Sequence, residues 1–409
     1  MRIHTPAGKP GFLGYCANVH PGESLADVSH AVTQLASQVR SRLGADALSL
    51  GLWLSRRSVD ELAAQGCSEL QRALTDAGVF VVTLNGFPYG NFHAEVVKRQ
   101  VYHPDLCSSE RRSYLSVLAK ILAQLLPDDV VEGTISTLPI GHREEPLDCP
   151  PLCQATRARA SQAAAEQLCL LATELAQLRA ETGKSIRICL EPEPGCWLET
   201  THDAVQFWSH ALPAAAQQLR VPDAVIAQHL GLCYDTCHQA IAFEHAAQSI
   251  RSLTEAGVTI GKAQLSSAIE LPNPKDPRAL AQLAAFREPR FLHQVRARQR
   301  DGTLWAADDL GDVHALPTTD PLRVHFHVPI HRESVSEITT TRPFLLAALQ
   351  ALQALPVLPH LEVETYTWSV LPEAERPRSE AELAQGLANE VAFVRKALSG
   401  PDVSQCHMT

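Results

Sequence analysis

Short runs of β-branched and apolar residues alternate along the chain with longer segments whose apolar positions recur every three or four residues, the signature of repeated βα units. The first run, Gly11–Ala17, leads through a polar turn into a helical pattern from Leu25 to Leu43. Leu48–Leu54 follows, then one helix over Val59–Ala77, ended by Gly78. Val79–Leu84 and Val130–Thr137 read as the third and fourth strands, with a helix over Glu110–Leu126 between them. A long helix over Ala155–Thr182 stops at Gly183, and Ser185–Leu190 is the fifth strand. His202–Leu219 is helical, His229–Tyr234 is the sixth strand, Phe243–Ala256 is helical, and Val258–Leu265 is the seventh strand.

The alternation then breaks. Leu271–Arg332 opens Pro-rich, carries a hairpin signal at Asp301-Gly302 and a strand at Leu322–Val328. A helix over Arg342–Leu355, a last strand at His360–Thr365 and a closing helix over Ser379–Leu398 complete the chain. With that insertion set aside, eight strands with crossover helices remain, and eight parallel strands close a (β/α)₈ TIM barrel. The expected organisation is one barrel domain over 1–409, with an insertion at about 271–332 between strands seven and eight. An open doubly wound sheet is the rival. It calls for a Gly-rich phosphate loop after the first strand, and Gly14-Tyr15-Cys16-Ala17-Asn18 is not one.

Composition changes this picture little. The chain of 409 residues is 45% hydrophobic and 20% charged, which sets aside disorder and fibrous repeats. A net charge of −10 with no basic run argues against a protein that tracks a phosphate backbone, so no nucleic-acid partner is expected. The longest apolar runs are too short for a membrane segment and the first residues form no apolar leader, so a cytoplasmic protein is expected. Cys233 and Cys237 are spaced like Cys149 and Cys153, but a four-Cys zinc site calls for closer pairs on loops.

In a (β/α)₈ barrel the active site forms at the C-terminal ends of the strands. There the polar residues gather. Cys189, Glu191 and Glu193 share one face at the end of strand five, because residues two apart point alike. Asp235 ends strand six, with His238 three residues on in the turn. Gln264 stands at the matching height on strand seven, beside Lys262 on the same face, and Glu362 and Glu364 share a face on strand eight. Crowded carboxylates in a low-dielectric pocket are costly unless a cation neutralises them, and a divalent metal is the simplest remedy. The competing reading pairs these acids with barrel cations, Lys262 among them. Mixed oxygen and imidazole donors suit Mn²⁺, Mg²⁺ or Co²⁺, with Zn²⁺ also open.

Leu190-Glu191-Pro192, Asp235-x-x-His238 and Glu364 resemble the xylose-isomerase-like barrel superfamily of sugar isomerases, epimerases and, more distantly, apurinic endonucleases. The resemblance implies a divalent metal held by Glu191, Asp235 with His238, Gln264 and Glu364. Four further segments resemble the EboE-type metabolite-traffic proteins: Gly14-Tyr15-Cys16-Ala17-Asn18-Val19-His20-Pro21-Gly22-Glu23, Thr83 to Gly90, Lys262 to Ala268, and His325-Phe326-His327-Val328-Pro329. That likeness implies a small-molecule metabolite and partner proteins of an Ebo-type cluster.

Three functions are consistent with these residues. The leading one is metal-dependent isomerisation or epimerisation of a small polyhydroxylated or hydroxycarbonyl metabolite, with Glu191 and Glu364 as the proton-transferring, catalytic pair. The second is a non-catalytic barrel that binds and hands over a metabolite. The third is phosphodiester cleavage of the endonuclease type, against which Gln264 in place of a His and the acidic balance count. His325 and His327 share a face if Leu322–Val328 is a strand, and with His20, His93, Glu193, Glu362 and Lys262 they are further candidates for ligation or substrate binding.

Overall fold

A computed structural model describes residues 1–143, 152–311, 315–317, 320–336 and 338–399. Its strands are β1 (Arg2–His4), β2 (Pro10–Cys16), β3 (Leu48–Trp53), β4 (Val79–Asn85), β5 (Glu132–Thr137), β6 (Ser185–Leu190), β7 (Leu230–Asp235) and β8 (Ile260–Leu265). They continue as β9 (Ile269–Leu271), β10 (Val295–Arg298), β11 (Leu304–Ala307), β12 (Leu322–Val324), β13 (Ser334–Val335), β14 (Ile338–Thr340) and β15 (His360–Val363). Strands β2 to β8 pair parallel in chain order, and β15 closes the ring between β8 and β2. This is a (β/α)₈ barrel. β3 is buried along its whole length, as a parallel strand covered on one side by helices and on the other by the barrel interior must be. β1 folds back antiparallel on the first half of β2.

Between β8 and the helix Arg342–Ala354, strands β9 to β14 form a separate antiparallel sheet in the order β11-β10-β12-β9-β14-β13. The hairpin signal at Asp301-Gly302 is the β10–β11 turn, where Gly302 takes the left-handed φ of +87°. The expected strand Leu322–Val328 is shorter. Ladder pairing ends at Val324, and the extended chain beyond it bonds to Gln294 O through His325 N and to Ser267 O through Val328 N. The helix expected over Val59–Ala77 is two, Arg56–Gln65 and Ser68–Ala77, because Gly66 at φ +80° ends the first. The helix expected from Phe243 begins at Ala246, since Phe243 itself sits at φ +55°. Among the described residues no helix is long and apolar enough to cross a membrane.

The barrel interior is layered. At its N-terminal end the Thr134 hydroxyl joins Thr83 and the His360 ring, both at 2.9 Å. Above it Lys262 Nζ lies 3.1 Å from Glu362 Oε1, with both side chains essentially inaccessible. The ammonium also donates to Ser136 Oγ and the Leu84 carbonyl. Room for this pair comes from Gly51, where a Cβ would stand 1.3 Å from Glu362 Oε2. The layer of carboxylates and imidazoles described below caps the barrel at the C-terminal end.

The closing helix, Glu380–Leu398, is tied to the barrel mouth by a fully buried acid. Glu390 accepts hydrogen bonds from Ile330 N, Thr365 Oγ1 and Trp368 Nε1. Burial pushes its carboxyl up to about 7 against the pull of these three donors. An acid whose folded pKa is raised binds its proton more tightly in the folded than in the unfolded state. Its contribution to stability is therefore full below pH 4.5 and lost as the pH rises through about 7. The stability of the wild type relative to Glu390→Gln should fall by roughly 3 kcal/mol across that window. Denaturant titrations of both proteins at pH 5 and pH 8.5 measure this, and a difference that does not move with pH contradicts it.

Candidate metal centre

Each acid at the mouth owes its place to a strand end. Glu191 follows β6, Asp235 closes β7, Gln264 sits next to last on β8 and Glu364 follows β15. Asp235 also explains the spacing to His238. Its Oδ1 caps the short helix Thr236–Ile241 by accepting the N–H of His238, the third residue of that helix. One capping bond thus fixes the Asp235 carboxylate and the position of His238 in the first turn, and Ser266 Oγ donates to the same oxygen at 2.7 Å.

Glu191, Asp235 and Glu364 each bring an oxygen within 4.8 Å of the others, and all three are buried. Glu191 Oε2, Asp235 Oδ2 and both amide atoms of Gln264 have no hydrogen-bond partner. Buried polar atoms without partners are rare and need a cause. Burial first, and then the neighbouring acids, hold Glu191 and Glu364 well above the usual carboxylate range. The nearest cation, Lys262, is already engaged by Glu362. Unpartnered oxygens on Glu191, Asp235 and Gln264, beside Glu364 and with too much negative charge for the cations at hand, fit a divalent cation.

Beside them three imidazoles converge. His238 Nδ1 faces Pro192 O at 3.0 Å, His325 Nδ1 faces Gln294 Oε1 at 2.6 Å, and His327 Nδ1 faces Glu364 O at 2.9 Å. Each of these partners is an acceptor, so Nδ1 carries the hydrogen and Nε2 keeps its lone pair. The Nε2 of His325 then lies 3.2 Å from that of His238 and 3.1 Å from that of His327. Lone pairs do not bond to one another. Burial and the neighbouring rings depress His325 well below the usual imidazole range, and burial takes His327 down to about 4, which disfavours a proton shared between those two. Nitrogens at this spacing suit a metal, because Zn–N bonds of about 2.0–2.1 Å at tetrahedral angles separate their nitrogens by about 3.3 Å. Asp235 comes within 4.8 Å of His238 and His327 as well as of Glu191 and Glu364, so the two donor groups share it.

The supporting residues come from elsewhere in the chain. Asn18, after β2, and Asn85, at the end of β4, both donate to Glu364 Oε1, at 2.8 and 3.1 Å. Sequence reasoning passed over them as ligand-holding residues, although Asn85 ends an inward-facing strand at the height of the acids. Glu193 Oε1 accepts from Tyr102 at 2.8 Å and lies 3.8 Å from His325 Nδ1. Tyr366 packs its ring on His327 at 4.6 Å and faces the acids.

Other candidates lie outside the centre. Glu362 and Lys262 form the ion pair in the layer below. His20 turns inward to the Tyr15 hydroxyl at 2.9 Å, and His93 bonds to the Asn18 carbonyl at 2.8 Å. Neither ring lines the cleft above the acids. His93 reaches the centre only through the backbone of Asn18. Cys233 is a buried free thiol; Cys237, also buried and free, is the exception, since its Sγ lies within 4.8 Å of ring nitrogens of His325 and His327, whereas Cys149 and the Cys153 side chain fall outside the described positions.

No family model matches the chain. No curated protein matches it either. Solved structures do. A xylose isomerase-like TIM barrel protein from Mycobacterium smegmatis, in complex with magnesium, aligns over 97% of this chain and 100% of its own, at 13% identity and a TM-score of 0.50. D-psicose 3-epimerase, crystallised in the presence of D-fructose, aligns over 95% and 100%, at 14% identity and a TM-score of 0.50. The fold is the (β/α)₈ barrel of these two structures. At such identities the likeness carries the fold alone. The narrower resemblance to EboE-type proteins rests on the sequence motifs.

Proposed function

We propose that this barrel is a divalent-metal-dependent enzyme that isomerises or epimerises a small hydroxycarbonyl metabolite, in the maturation or traffic of that metabolite. The observation that carries the reading is the set of unpartnered carboxylate oxygens and mutually facing imidazole Nε2 atoms at the barrel mouth. Glu191, Asp235, Gln264 and Glu364 would hold the ion, with His238, His325 and His327 forming the adjoining donor group that shares Asp235. A bound divalent ion supplies Lewis-acid polarisation of a carbonyl oxygen, which acidifies the neighbouring carbon. The chain supplies the proton carriers. Glu364 Oε1 is taken by two amides, which leaves Oε2 to accept a proton; Glu191 Oε2, free of donors, is the second carrier, three strands round the ring. Asn18 and Asn85 hold Glu364 in place.

The three-imidazole group favours a second reading, phosphodiester cleavage at two adjacent metals. The cleft speaks against it. Lys98 is the one cation among its described lining residues apart from the imidazoles, and its Nζ is held by Asp309 at 2.6 Å.

The test is solvent hydrogen exchange. Metal-loaded protein is incubated in D₂O with a panel of hydroxyketones and aldoses, and deuterium at the carbon next to the carbonyl is followed by NMR. Incorporation should fall about 100-fold or more in Glu364→Gln. Binding of panel members without exchange would instead make the barrel a carrier, in keeping with partner proteins of an Ebo-type cluster. Hydrolysis of bis(4-nitrophenyl) phosphate would favour the second reading.

A further inference from the structure

Above the metal donors the cleft changes character. Its wall is built from the loop after β4, from the insertion and from the segment after β15. Phe92, Phe291 and Tyr366 pack against one another with ring centroids 5.0 to 5.4 Å apart. Phe87 faces the cleft with its ring 5.9 Å from Tyr102, and Val101 and Leu292 complete the apolar surface. Two backbone N–H groups, of Val97 and Lys98, donate to Arg290 O and so tie the loop to the insertion. The polar groups on this wall are mostly spent, because Lys98 is held by Asp309 and the Tyr102 hydroxyl by Glu193. The Tyr366 hydroxyl is the wall's remaining uncommitted polar group among those described.

A free sugar carries a hydroxyl on nearly every carbon, and each one buried without a partner costs about 1–3 kcal/mol. This wall supplies one hydroxyl and a row of rings. The cleft encloses about 530 Å³ of empty space, part of it open to solvent. Rings in mutual edge contact suit a flat apolar body better than a polyol chain.

We infer that the substrate is an amphiphile: adjacent oxygens at one end to meet the metal, and a flat, apolar or aromatic body held between Phe87 and the Phe92–Phe291–Tyr366 cluster. This deepens the proposed function and rests on its metal centre. Selectivity then comes from the wall, which decides among molecules that share the same chelating end.

Acetohydroxamate and benzohydroxamate test this, since both offer the same pair of chelating oxygens and differ in the apolar body. Co²⁺-loaded protein is titrated with each by calorimetry, and the visible Co²⁺ absorption reports whether the metal is engaged. Benzohydroxamate should bind at least tenfold more tightly than acetohydroxamate, and D-fructose more weakly than benzohydroxamate. The ratio of the two hydroxamates should fall towards one in Phe291→Ala, and likewise in Phe87→Leu, the milder change should the first fail to fold. Equal affinities, with the Co²⁺ spectrum shifting for both, would overturn the apolar-body inference and leave the metal centre standing. No Co²⁺ bound at all would overturn both.

Discussion

Asp235→Asn should cost the protein its metal while making the metal-free form more stable than the wild type. Among the described residues Asp235 is the one side chain shared by the carboxylate and imidazole groups, so its charge serves both. Removing a residue that merely orients a ligand costs about 10–100-fold in metal affinity, and loss of a shared ligand should exceed that range. The fold tolerates the change. Asn keeps an Oδ1 that can cap the Thr236–Ile241 helix through the His238 N–H. In the metal-free protein the substitution removes one of three mutually repelling buried carboxylates, which relieves Glu191 and Glu364.

Elemental analysis and thermal unfolding, each with and without added metal, read both halves of this prediction. The wild type should gain about 2.7 kcal/mol at a metal concentration 100 times its Kd, and the variant should gain almost nothing at the same concentration. Equal metal content in the two proteins would remove Asp235 from the centre. A wild type that is never stabilised by Mn²⁺, Co²⁺ or Zn²⁺ would remove the centre itself.

Lys262→Met should be the most destabilising single change in the barrel interior. Lys262 and Glu362 meet at 3.1 Å with no water access to either. Among the described residues nothing donates a hydrogen bond to either Glu362 oxygen, so the ammonium is the compensation for its charge. Breaking a buried pair from one side leaves an uncompensated ion and costs about 3–5 kcal/mol, whereas replacing both partners by apolar residues of similar volume is often neutral or better. Lys262→Met with Glu362→Met should therefore recover most of the stability lost by the single variant. Urea unfolding of the wild type, both single variants and the double variant gives the coupling directly. Additive losses would mean that the pair does not act as a unit.

The identity of the elements was written locally. Period-two and period-3.6 patterns mark the eight strands and their crossovers, and inward parity at the strand ends marks Glu191, Asp235, Gln264 and Glu364 as neighbours before any fold is known. The Asp235-x-x-His238 spacing is local too, since one helix cap sets it. Two helix boundaries were misjudged because apolar periodicity runs on through Gly66 and Phe243, while the left-handed backbone at those residues stops the helix.

Tertiary structure decided the rest, because it depends on residues far apart in the chain. Barrel closure brings Asn18 and Asn85 to Glu364 across intervals of 346 and 279 residues. The insertion folds back so that His325 and His327 meet His238, although the strand that was to align them ends at Val324. Sequence spacing could pair Lys262 with any of the mouth acids. The layer height inside the barrel gives it to Glu362, which leaves the acids above it with excess negative charge and a place for a cation.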